Sequence, residues 1–139
     1  MPCPLEGCGI FLTPNESQPC NYGRYILKVS VFRVEDAVGA GPYSSTSPFL
    51  AAMNATHGGA DHPSPDEDPL LQGIYPDENC CFATLDGLEE WFAGYEDDLA
   101  EAGYEISVYT VPRENVRWGI SQALFRREDR YPVRTMSMR

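Results

Sequence analysis

The chain has 139 residues, 42% apolar and 22% charged, a composition that fits one soluble globular domain long enough to bury a core. The formal net charge is −11, and no Lys or Arg occurs between Arg33 and Arg113, which argues against direct nucleic-acid binding because phosphate is gripped by Lys and Arg. No apolar run approaches the ~18 residues of a membrane span.

Residues 1–22 are rich in Pro, Gly, Asn and Cys and show no periodicity, so they read as an irregular extension ahead of a single domain over 23–139. No basic segment followed by an apolar one marks a secretory signal, and the cytoplasm is the expected location. The five cysteines, Cys3, Cys8, Cys20, Cys80 and Cys81, lack the paired C-x2-C spacing of zinc sites. Free thiols in a reducing compartment are expected, and no metal.

"RYILKVSVFRVED" has the β-branched and aromatic density of a strand, from Tyr25 to Glu35. Alternation puts Arg33 on the more apolar face with Leu27, Val29 and Val31, an odd position for an unpaired charge. A Gly- and Pro-containing loop follows, and Ser47 caps a helix beginning at Pro48. The polar stretch from Thr56 to Asn79 is a long loop, of a length usually reserved for function or disorder, and it carries both histidines, His57 and His62.

Cys80 to Ala83 reads as a short strand that enters a helix capped by Thr84. Leu85, Leu88, Trp91, Phe92, Tyr95, Leu99 and Ala102 recur at helical spacing, and Gly103 ends that helix. "YEISVYTVP" is a strand, "ENVRWG" a turn and "ISQALFRRE" a last strand. The order predicts an α+β domain with a small, mostly antiparallel sheet and packed helices. Strands at 25–35, 104–111 and 120–126 are expected to share that sheet, with the helix at 85–102 packed on it through Leu88, Trp91, Phe92 and Leu99.

No phosphate-binding Gly-rich loop, H-E-x-x-H or G-x-S-x-G is present. The combination of Arg33 on a first strand, "CFATLDGLEEWF" in a strand-to-helix segment and Gln122 before "ALF" on a late strand resembles the ADP-ribosyltransferases. The resemblance spans about residues 25–127 through short motifs. It implies an NAD site in which Arg33 holds the cofactor, Phe82 enters the aromatic segment, and Trp91 or Phe92 stacks on nicotinamide. It puts Gln122 at the catalytic glutamate's position and Cys81 where a tyrosine is usual. A glutamine supplies no charge to the cation that develops on ribose, so the resemblance implies NAD binding with weakened or absent transferase activity.

A second expectation follows from charge. An acidic body with Glu89, Glu90, Glu96, Asp97 and Asp98 on one helical segment favours a basic protein partner. Small phage-encoded inhibitors of host defence, anti-CRISPR proteins among them, have this character. An accessory protein with no small-molecule site is the third. A cleft holding both Arg33 and Gln122 separates the first expectation from the other two.

Overall fold

The computed structural model describes residues 18–19, 25–57 and 62–139. The expected N-terminal extension, with Cys3, Cys8 and Cys20, lies outside the described residues except for Gln18–Pro19. That pair forms β1, antiparallel to β2, Tyr25–Ile26. The chain is α+β, with short helices and two three-stranded antiparallel sheets.

The first sheet runs β3-β5-β8: Lys28–Glu35, Glu105–Pro112 and Tyr131–Met136. β3 and β5 pair over their whole length, from Lys28 opposite Pro112 to Glu35 opposite Glu105. The second sheet runs β4-β7-β6: Glu78–Cys81, Ala123–Arg126 and Val116–Trp118. The strand expected at 120–126 therefore leaves the first sheet, and β8 takes its place. "ENVRWG" is not wholly a turn: a 3-10 turn over Arg113–Asn115 leads into β6, which forms a tight hairpin with β7. The two sheets meet at one bridge, where Phe32 and Phe82 exchange both backbone hydrogen bonds at 3.0 and 2.8 Å. This junction sets the end of β4 beside the middle of β3.

The helix expected over 85–102 is two helices, α2 at Leu85–Trp91 and α3 at Glu96–Glu101. Gly94 stands between them at φ +92, a left-handed conformation that costs glycine little and breaks the helical run. Thr84 caps α2 by accepting from the Gly87 N–H, and Ser47 caps the turn that leads into α1, Ala51–Thr56. The apolar period survives the break. Leu88, Trp91, Phe92 and Leu99 are all buried in one core with Val34, Phe82 and Ile106. A second core gathers Val31, Cys81, Val111 and Phe125. No helix among the described residues is long and apolar enough to cross a membrane.

Candidate functional site

A cleft of about 440 Å³ opens where β3, the end of β4 and the end of α2 converge. Arg33, Phe82, Trp91, Phe92 and Gln122 all line it, together with Tyr43, His57 and His62. Its lining is mainly apolar, and the rings of Tyr43, Phe82, Trp91 and Phe92 form part of it. Phe82 lies 5.5 Å from Trp91 and 5.9 Å from Phe92, centre to centre, and Tyr43 stacks on Phe92 at 6.2 Å. Such walls suit a flat apolar ring.

Arg33 is buried and paired. Its Nε donates to Glu35 Oε1 at 2.8 Å, and its terminal nitrogens donate to the carbonyls of Cys80 and Gly39 at 2.9 and 3.1 Å. Glu35 in turn accepts from the Tyr109 hydroxyl, and burial and this contact push the Tyr109 phenol up. The guanidinium thus ties β3, the 36–41 loop and β4 together at the cleft floor. Three of its five N–H donors are spent on protein acceptors.

The aromatic side chains of the cleft are joined by hydrogen bonds. Trp91 Nε1–H donates to the Tyr43 hydroxyl oxygen at 2.6 Å, because an indole can only donate. The Tyr43 hydroxyl is also hydrogen-bonded to His57 Nδ1, 2.5 Å away. His57 stands at the end of α1, its backbone N–H bonded to the Met53 carbonyl. Its ring stacks on His62 with centres 3.8 Å apart and planes 13° from parallel. His62 donates from Nε2 to the Trp91 carbonyl at 3.0 Å. Burial first, and the His62 neighbour second, lower the His57 pKa to about 4, so this ring is neutral near pH 7. Burial raises the Tyr43 phenol.

Arginines staple the long loop against the site. Arg117 donates to both oxygens of Glu78 at 2.8 and 2.6 Å and to the carbonyls of Leu71 and Gly73. That contact holds the Glu78 carboxyl below its ordinary range. Asp68 is buried and accepts from the Ile120 N–H at 2.7 Å, which ties the loop to the turn before β7. Gln122 lies in that turn, one residue before β7, and its amide nitrogen donates to the Pro63 carbonyl at 3.4 Å.

Burial raises the thiols of Cys80 and Cys81, which makes them poor nucleophiles. Among the described residues, no group of three or more His, Cys, Asp or Glu side chains is arranged to hold a metal ion. The sequence pointed to Arg33, Phe82, Trp91, Phe92 and Gln122, placed His57 and His62 in a long loop without an assigned role, and gave Tyr43 no role. The histidines' signal was the loop's unusual length with both of them inside it.

No curated protein matches the chain, and no solved structure does. A family model described as "Bacteriophage T4 Y00F protein" matches residues 28–139, from the first residue of β3 to the last residue of the chain. The chain belongs to the bacteriophage T4 Y00F protein family.

Proposed function

We propose that the cleft takes the planar ring of NAD or a related nucleotide, in an ADP-ribosyltransferase-like protein that binds its ligand without efficient turnover. The observation that carries the reading is convergence. Arg33, Phe82, Trp91–Phe92 and Gln122 come from four separate stretches of chain, and all line one aromatic cleft. The carboxylate inventory supports the absence of turnover. Glu78 is the one carboxylate lining the cleft among the described residues, and Arg117 holds both its oxygens. Gln122 is neutral, and losing one electrostatic contact to a developing charge typically costs ~3–4 kcal/mol of transition-state stabilisation. In this reading Phe82, Trp91 and Phe92 pack on the ring, and the free amide oxygen of Gln122 meets a ribose hydroxyl. Arg33 orders the floor and offers its remaining donors. The test is calorimetry with NAD, paired with an assay for released nicotinamide. Saturable heat without nicotinamide release is expected, and Ile74→Arg, at the cleft's exposed rim, abolishes the heat. Rapid release of nicotinamide overturns the turnover half of the reading.

A second reading draws on the phage family and on the exposed carboxylates of α2 and α3: Asp86, Glu89, Glu90, Asp97 and Glu101. In it the chain is an acidic inhibitor, of the anti-CRISPR or another anti-defence kind, that docks on a basic protein partner. Such docking weakens steeply with salt and with joint neutralisation of Glu89, Glu90, Asp97 and Asp98. A pull-down from host lysate at low and high salt checks this. A partner retained equally at both sinks it.

A further inference from the structure

The charges of the cleft are already answered within the protein. Apart from Arg33 and Gln122, every described residue that lines it lies in the stretch of chain that holds no Lys or Arg. Two residues of fixed charge line it among the described residues, Arg33 and Glu78, and each has its counter-ion. Arg33 lies 2.8 Å from Glu35, with the two side chains 10% and 7% exposed. Gly41 lies against that guanidinium, since a Cβ there would come within 3.3 Å of a terminal nitrogen. Glu78, its side chain 3% exposed, accepts from Arg117 on both oxygens and from the Tyr75 N–H as well. Arg127 reaches the lining at Asn79, but its terminal nitrogens are bonded to the Asn79 amide oxygen and to the carbonyls of Pro76 and Glu78.

Other groups of the lining are held neutral. Burial raises Tyr43 and Cys80, which near pH 7 are a phenol and a thiol. Burial lowers His57, which is a neutral imidazole there. Phosphate is gripped in proteins by Lys, by Arg or by free backbone N–H groups at a helix start. A phosphate entering this cleft would shed its hydration and find its one lining cation already neutralised, on a chain whose net charge is −11. The rings of Tyr43, Phe82, Trp91 and Phe92 offer a better exchange, because a flat ring gains by leaving water.

We propose that the cleft binds its ligand by the ring alone and leaves any phosphate in solvent, so that a nucleoside serves it as well as the matching nucleotide. The inference rests on the reading of the cleft as a site for a nucleotide ring. It names the ligand class within that reading. It also gives a role to Glu35, which does not line the cleft but neutralises the cation that does.

The experiment is calorimetry of the full chain at about pH 8, where an ordinary imidazole is neutral. It compares nicotinamide riboside with nicotinamide mononucleotide, and adenosine with AMP, with NAD as the reference. The members of each pair differ by one phosphate. For the ring that the cleft takes, the nucleotide is expected to bind no more than about three-fold tighter than the nucleoside. Its affinity is expected to hold steady or rise between about 50 and about 500 mM salt, because there is no phosphate contact to screen. Glu35→Gln keeps the shape and removes the counter-ion. It is expected to give the nucleotide an advantage of about ten-fold, eroded by salt. A larger wild-type advantage than about three-fold, a wild-type nucleotide affinity that falls with salt, or binding of NAD where neither nucleoside binds overturns this inference and leaves the nucleotide reading intact. Failure of NAD and all four smaller probes to bind overturns both. A folded Glu35→Gln chain without a nucleotide advantage overturns the role given to Glu35. The wild-type comparison needs no variant, so it decides the ligand class even where Glu35→Gln does not fold.

Discussion

Arg33 and Glu35 stand two apart on β3, and residues two apart on a strand share a face. The charge that looked misplaced by alternation alone therefore had its partner in the same sequence triplet, at 2.8 Å in the folded chain. Removing one member of a buried pair strands the other. Arg33→Met is expected to cost about 3–5 kcal/mol, because it leaves Glu35 buried without its counter-ion. Chemical denaturation read by fluorescence checks this, and a loss below ~1 kcal/mol would mean that Glu35 finds another partner. His57 makes a different demand. Its folded pKa of about 4 lies below the ordinary 6.5, so between those values the unfolded chain binds more protons than the folded one. Its contribution to stability is complete above about pH 6.5 and is lost as pH falls toward 4. Glu78 acts lower: its depressed pKa gives stability that is lost only as pH falls below its ordinary value of 4.5. Denaturation midpoints measured across pH 3.5–7.5 should begin to drop well above the carboxylate range, and His57→Gln should remove that upper part of the drop.

At the scale of elements, the turn between β6 and β7 does more than reverse the chain. A Cβ on Gly119 would collide with the Asp68 carboxylate, the Gln122 carbonyl and the Leu71 side chain. Gly119→Ala is therefore expected to break the Asp68–Ile120 tie and to free the 62–77 loop from the cleft. The measurable result is faster proteolysis within that loop, with a lowered melting temperature. Unchanged cleavage would show that Arg117 alone holds the loop. The helical period of 85–102 was legible because it reflects local burial, and Leu88, Trp91, Phe92 and Leu99 are indeed core; the strand expected over 25–35 is instead split at Leu27, with Tyr25–Ile26 paired to β1 and Lys28–Glu35 to β5, and both faces are buried from Val34 on. The break at Gly94 was not read from the pattern, because the apolar positions resume in phase on the far side. Strand partnership was less legible still. β7 pairs with β4 and β6 instead of β5, a choice made by the tight β6–β7 hairpin and by the Phe32–Phe82 bridge, which joins residues fifty apart. Of the cleft, the aromatic and strand residues carried a pattern. The histidine pair carried only the length of its loop and Tyr43 carried nothing, since only the tertiary fold stacks His57 on His62 and brings Tyr43 to Trp91.

For the whole molecule, the uneven charge divides into two uses. The arginines of the C-terminal part are largely internal fasteners: Arg117 and Arg127 bind the backbone or side chains of residues 71–79, and Arg126 pairs with Asp129. The carboxylates of α2 and α3 are met, among the described ion pairs, by Arg139 alone, through Asp97 and Glu101 at 3.4 Å each. The exposed carboxylates of α2 and α3 are thus left to solvent or to a partner, while the cleft is lined, among the described residues, by one cation, Arg33, and one carboxylate, Glu78. These surfaces make separate claims, and the cleft carries the central one. The most direct measurement is isothermal titration of the full chain with NAD, beside the Ile74→Arg chain. A saturable one-to-one heat with a dissociation constant tighter than about 1 mM, lost in the variant, is the predicted result. A folded wild-type chain that gives no heat with several times that concentration of NAD would contradict it.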